Sequence, residues 1–371
     1  MNDERIKKLA HNLVNYSCEI KKNQNVIIEG SVESRDLIKE LVREVYQIGG
    51  HPFVRLSDSE ISREIFLGMT EEQAKRSCRY TLPMFEDASA YIGISSSYNR
   101  FEISDVPNQN KQIYSQFYSK PVHIDTRVCK TNWVILNYPN PALAQLAQMS
   151  TQAFEDFFFD VCTLDYSKMD RAMQNLKKIM EKTDRVRLVT ADTDLTFSIK
   201  GQPAIICSGK CNIPDGEIYT SPIKNSINGK IHFNIPSLHK GVIHDDITLE
   251  FKDGKVINES SSHTKQLTSE LNVDEGARYV GEFAIGVNPF VTKPMYDTLF
   301  DEKMAGSIHM ALGNAYDDAP NGNSSQNHWD IVLSMTPEHN GGQIYFDDVL
   351  IRDNGLFVLP ELKCLNPENL K

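Results

Sequence analysis

Near its C-terminal end the chain reads SQNHWDIVLSM, residues 325–335, with a histidine and a carboxylate two positions apart. Trp329, Ile331, Val332 and Leu333 are strand formers. Alternate residues of a strand share a face, so His328 and Asp330 project to one side while Trp329, Ile331, Leu333 and Met335 project to the other. The pattern recurs upstream. In ARYVGEFAIGV, 277–287, Glu282 alternates with Val280, Ala284 and Gly286, against Tyr279, Phe283, Ile285 and Val287. In GSIHMALG, 306–313, His309 shares a face with Ser307, Ala311 and Gly313, against Ile308, Met310 and Leu312. A solitary strand Glu is usually solvated, and a solitary core His usually bonds a carbonyl. Three strands with the same asymmetry in so short a stretch set one shared bound group beside that bland reading on equal terms. A fourth element, NIPDGEIYTSP (212–222), holds Glu217 directly after a turn of Pro214, Asp215 and Gly216, either as a surface acid or as a ligand on stiff backbone.

These donors define the chemistry. Glu217, Glu282, His309, His328 and Asp330, with Tyr316 close behind His309 in HMALGNAY, outnumber the three or four protein ligands of a single zinc. A larger carboxylate-rich set fits two divalent ions that share a bridging carboxylate. Mixed imidazole and carboxylate donors suit zinc, cobalt or manganese. Asp330, one strand step from His328, is the first candidate for the bridge and Glu282 the alternative. Other hydrolase and phosphate-binding signatures are missing: the chain has no G-x-S-x-G elbow, no H-E-x-x-H and no P-loop or kinase string. Cys207 and Cys211 form a C-x3-C pair with no second pair to complete a zinc knuckle.

The elements that must position these residues fall into two textures. The first half alternates strand and helix: NQNVIIEG (24–30), a capped helix over 34–50, HPFVRLSD (51–58), then strands at 89–96 and 131–139. Helices are predicted over 71–85, 141–149, 150–163 and 166–182, and an amphipathic one opens the chain through Ile6, Leu9, Ala10, Leu13 and Val14. A β-α-β order means a parallel sheet. The turn EGSVES lacks G-x-G-x-x-G and reads as a helix start rather than a dinucleotide loop. From about 185 the period changes to short alternating runs joined by D-G and N-G turns, which is antiparallel hairpin texture. The expectation is an α/β N-terminal domain with a mostly parallel sheet over 1–185 and a β-rich α+β C-terminal domain over 186–371.

Composition sets the surroundings. The net charge of -11 argues against a nucleic-acid partner. No apolar run approaches the ~20 residues of a membrane helix, and the N-terminus is not a signal peptide. Seven scattered cysteines fit reduced thiols in a cytoplasm better than a disulfide framework.

The segments NIPDGEIYTSP, GARYVGEFAIGVNP, IHMALGNAY and NHWDIV, in that order, resemble the aminopeptidase T family of dinuclear metallo-aminopeptidases, which includes leucyl aminopeptidases of the same fold. WVILNYPNPALAQLAQMSTQAFEDFFF adds an N-terminal match, so the likeness covers most of the chain. The resemblance implies an α/β domain followed by a β-rich domain bearing the metals, and a homodimer. It implies removal of N-terminal residues from peptides by a two-metal-activated water. It assigns the ligands to Glu217, Glu282, His309, His328 and Asp330, and puts Tyr316 at a tyrosine position of the metal site, where its hydroxyl would serve catalysis. The compact polar segment DDAPNGNSSQN between Tyr316 and His328 leaves the ligands in place but opens the substrate preference. The alternatives are a metal-dependent hydrolase of a non-peptide amide or ester, and a catalytically silent peptide-binding homologue.

Overall fold

A computed structural model describes residues 3–371. The chain divides into two compact units, one running to Thr163 and taking back Gly209–Ile213, the other holding Leu164–Ser208 and Pro214–Lys371. Among the described residues no helix is long and apolar enough to cross a membrane.

The first unit is built on a five-stranded parallel sheet. Asn25–Ser31 is flanked by His51–Ser57 and Ala90–Ser95, and Asn132–Asn137 and Asn212–Ile213 extend it on the latter side. Ile27 and Tyr91 face a cluster with Phe85, Tyr118 and Val122. Val26 and Ile28 are fully buried on the opposite face, as expected of a parallel sheet covered on both sides. The helices start where caps predict: Thr70, Asn140 and Ser150 each accept a bond from a first-turn amide of the helix that follows. The region around 115–128 was not legible as a helix. Ser115–Val128 winds as a π-helix with Pro121 inside it, a wider period than the 3.6-residue spacing that marks an α-helix.

The second unit holds two antiparallel sheets and a small ribbon. One sheet has eight strands, including the hairpin Ile247–Lys252 and Lys255–Ser260. Its Asp253–Gly254 turn has both residues at positive φ, the twist that D-G supplies. The other sheet has five strands in the order His328–Ser334, Ser307–Gly313, Val280–Gly286, Glu217–Thr220, Ile205–Cys207. Its bulky face, including Phe283, Met310, Ile331, Ile285, Ile308 and Leu333, is buried. The rings of Phe283 and Phe197 meet edge to face at 4.9 Å and tie it to the eight-stranded sheet. Each such side chain contributes about 1.5–3 kcal/mol of burial. That packing fixes the register, and the register decides what the opposite face presents.

Candidate metal centre

The polar face of the five-stranded sheet is laid out in rows of directly opposed residues. Glu282, Ala311 and Asp330 form one row. Ala284 and His309 form the next, Gly313 and His328 sit on the other side, and Gly286 opposes Glu217. The small residues stand between the donors, so the carboxylates and rings lean over them and converge.

Glu282 reaches this face through a β-bulge. The register slips between Val280 and Glu282, leaving Gly281 as the extra residue. One expectation needs correcting here: Val280 does not share the face of Glu282. The bulge pairs it with Leu312 on the apolar side, where it is fully buried. Gly281 also lets the carbonyl of Asn314 come close, since a Cβ there would lie 2.1 Å from that oxygen. Glu217 is held differently. Its Pro-Asp-Gly turn is pinned by Tyr166, whose hydroxyl accepts from the Asp215 amide, and by Asn288, whose amide donates to the Asp215 carbonyl.

All five expected donors are brought together. His309 Nε2 lies 3.3 Å from Glu282 Oε1, 3.5 Å from Glu217 Oε2 and 3.8 Å from Asp330 Oδ1. His328 Nε2 lies 3.2 Å from Glu282 Oε2 and 3.4 Å from Asp330 Oδ1. Each ring spends its other nitrogen on a backbone carbonyl: Nδ1–H of His309 donates to Glu302, and that of His328 to Asn314, at 3.1 and 2.9 Å. A carbonyl only accepts, so the hydrogen is on Nδ1 and the Nε2 lone pairs of the neutral rings point at the carboxylates. Lone pairs facing anions need a cation between them. Glu217 Oε2 carries the same message, being a buried oxygen with no hydrogen-bond partner. The donor set therefore fits divalent metal, and triads Glu217–Glu282–His309 and Glu282–His328–Asp330 each have ligand atoms within 4.8 Å of one another.

Without metal, protons take the cation's place. Burial opposes charge on the rings, but Glu217 and Glu282 hold His309 up at about 10. Burial opposes His328 too, while Asp330 and Glu282 raise it to about 11. Burial would raise the carboxyl of Asp330, yet His328 and His309 bring it down to about 2.

Tyr316 stands at the edge of this array. Its ring is 4.5 Å from that of His328 and 5.6 Å from that of Tyr219, and the residue is 45% exposed. The polar segment after it is anchored by its asparagines. Asn321 donates to the Val280 carbonyl and Asn323 to the Gly313 carbonyl, at the ends of the strands that carry the donors.

Two further ionic residues belong to the same surroundings and were not picked out from sequence. Lys303 is 1% exposed, with Nζ 2.5 Å from Glu217 Oε1, 2.8 Å from Glu302 Oε1 and 3.5 Å from Asp215 Oδ1. Glu302 has a carboxylate oxygen within 4.8 Å of donors of His309 and Asp330. Burial, with Glu217 and Asp330 adding repulsion, pushes its carboxyl up to about 8 against the pull of Lys303. The only sequence signal was the run DEK bracketed by Phe300 and Met304, just ahead of the His309 strand.

The family model described as thermophilic metalloprotease (M29) matches residues 2–356. Aminopeptidase 2 of Geobacillus stearothermophilus is 24% identical over 355 residues, covering 85% of this chain and 84% of that protein. Aminopeptidase T of Thermus thermophilus is 22% identical over 360 residues, covering 86% and 87%. The solved structure of wild-type AmpT from Thermus thermophilus superposes with a TM-score of 0.81 at 19% identity, over 96% of this chain and 99% of that one, and so shares the fold. Because the family model matches residues 2–356 of its 371, the chain belongs to the M29 family of metalloproteases.

Proposed function

We propose that the chain is a metal-dependent aminopeptidase that hydrolyses the N-terminal peptide bond of peptides, with Glu217, Glu282, His309, His328 and Asp330 holding two divalent cations. The observation that carries this reading is the orientation of the imidazoles. Both spend Nδ1–H on a carbonyl and turn Nε2 onto buried carboxylates. The relatives named as aminopeptidases support peptide hydrolysis. Glu282 turns one oxygen to each ring, which suits it to be the shared carboxylate; Asp330 turns the same oxygen, Oδ1, to both.

Bound zinc, cobalt or manganese supplies Lewis-acid polarisation of a carbonyl and acidification of a water. The chain's own residues do the rest. Tyr316, half exposed beside His328, offers its hydroxyl to the scissile carbonyl oxygen as that atom gains charge. Glu302, a carboxylate outside the five ligands, takes the water's proton and passes it to the leaving amine. The reading is completed by a cytoplasmic homodimer, the compartment being supported by seven cysteines with no disulfide among the described residues.

Chromogenic aminoacyl amides, assayed after chelation and again with added zinc, cobalt or manganese, test the reading. Turnover that depends on metal is the expected result. Metal binding without aminoacyl turnover would mark a hydrolase of another amide or ester, and neither would mark a peptide-binding homologue.

A further inference from the structure

The short helix Thr298–Asp301 ends by sending Glu302, Lys303 and Met304 across the donor face of the sheet. The crossing is possible because Gly286 lies beneath it: a Cβ there would come within 2.4 Å of the Met304 carbonyl oxygen. Lys303 is thereby pressed into the interior, where its ammonium donates to Glu217 and lies within 3.5 Å of the carboxylates of Glu302 and Asp215 as well. The consequence falls on Glu217. Its Oε1 is 2.5 Å from the ammonium, and its Oε2, buried and without a hydrogen-bond partner, faces His309 at 3.5 Å.

We propose that Lys303 is a positioning residue that makes Glu217 a one-oxygen donor, taking Oε1 for itself and leaving Oε2 for the cation. The proposal rests on the metal-centre reading above. For Glu217 to chelate through both oxygens, Oε1 would have to leave the ammonium. That would strip a buried charge of its shortest contact, which the interior penalises heavily. The same ammonium also lies against Asp215 and Glu217, which with Cys207 bring three donor atoms within 4.8 Å of one another, so its charge occupies that side of Glu217. It keeps cations on the histidine side of Glu217. An opposing effect is plain: a positive charge next to a cation site also repels the cation. The two effects give opposite signs on removal of Lys303, and so can be told apart.

The test uses the whole chain loaded with cobalt(II), reading the visible spectrum and the cobalt affinity by equilibrium dialysis, with circular dichroism as the check on folding. Lys303→Met removes charge and donor at nearly constant volume. We expect cobalt affinity to fall about 10- to 100-fold, the range for lost support of a ligand. We also expect visible absorption to weaken as Glu217 closes onto the ion and raises its coordination number. Lys303→Gln keeps a donor for Oε1, and should retain the native spectrum. A Lys303→Met protein with native or tighter cobalt binding and an unchanged spectrum would overturn the proposal. Should that variant not fold, Lys303→Gln decides: a native spectrum upholds the proposal and an altered one overturns it. A native chain that binds no cobalt would instead overturn the metal-centre reading, and this proposal with it.

Discussion

His328 and Asp330, two positions apart on one strand, meet with Nε2 3.4 Å from Oδ1. Neither residue faces solvent chemistry alone: Glu282 reaches the same ring from the neighbouring strand but one, across Ala311. A single substitution should therefore be felt by the whole cluster. Glu282→Ala and Asp330→Ala are expected to lose metal and peptidase activity together, with affinity down by at least about 100-fold, beyond the usual cost of losing a supporting residue. If Glu282 is the shared carboxylate, its loss should empty both positions, whereas Glu217→Ala should cost one. Ion-to-chain ratios on dialysed protein check this. Full activity in either the Glu282 or the Asp330 variant would show the ligand assignment to be wrong.

The same rings set a pH dependence. In the metal-free protein His309 and His328 are raised from 6.5 to about 10 and about 11. A group raised on folding adds stability that is complete below its unfolded value and fades as pH climbs through its folded value. The chelated protein should therefore lose melting temperature between about pH 7 and 11 more steeply than the loaded one. Metal must also displace those protons, so binding at pH 8 should release about two per chain, and affinity should rise with pH. Proton release in weak buffer measures the first quantity, and competition with a chelator at several pH values the second. Uptake of metal without proton release would contradict the geometry.

How much of this was readable beforehand follows from where each residue sits. Glu282 and His309 were legible as candidates because each stands alone among small residues on its strand's face, as Ala284, Ala311 and Gly313 show; His328 and Asp330 were legible because they share one face of a single strand, and Glu217 because it follows a tight turn. The parallel sheet of the first unit was legible from its strand–helix alternation, and the hairpins of the second from D-G and N-G turns whose residues take positive φ. Lys303 and Glu302 were not, because adjacent charges ordinarily mark a solvated surface and only the tertiary crossing over Gly286 buries them. The face of Val280 was misread because period-two alternation takes no account of a bulge.

Tyr316→Phe is the variant that would separate catalysis from metal retention. Its ring lies 4.5 Å from that of His328, yet it is 45% exposed, so it is not needed to fill the core. Partial burial, with Glu282 and Asp330 adding repulsion, shifts its pKa further upward, so the hydroxyl stays protonated, as a donor must be. Tyr316→Phe should leave the ion-to-chain ratio and melting temperature unchanged while kcat falls about 10²- to 10³-fold, the cost of one oxyanion donor. A fall in KM alone, or loss of metal, would give the tyrosine a different role.

Gly281 is the backbone counterpart of that argument, since it touches no donor and yet should govern one. A Cβ at this position would lie 2.1 Å from the Asn314 carbonyl oxygen, the atom that accepts Nδ1–H of His328. Backbone on both sides leaves no flexible group to give way. Gly281→Ala must therefore push the Asn314 carbonyl aside or undo the bulge that aims Glu282. Overpacking of this kind costs about 1–3 kcal/mol, readable by chemical denaturation. The more telling measurement is metal affinity. If the Asn314 carbonyl fixes His328, affinity should drop about 10- to 100-fold in a variant that still folds. A Gly281→Ala protein that is less stable but binds metal with native affinity would show that His328 finds its orientation without that carbonyl.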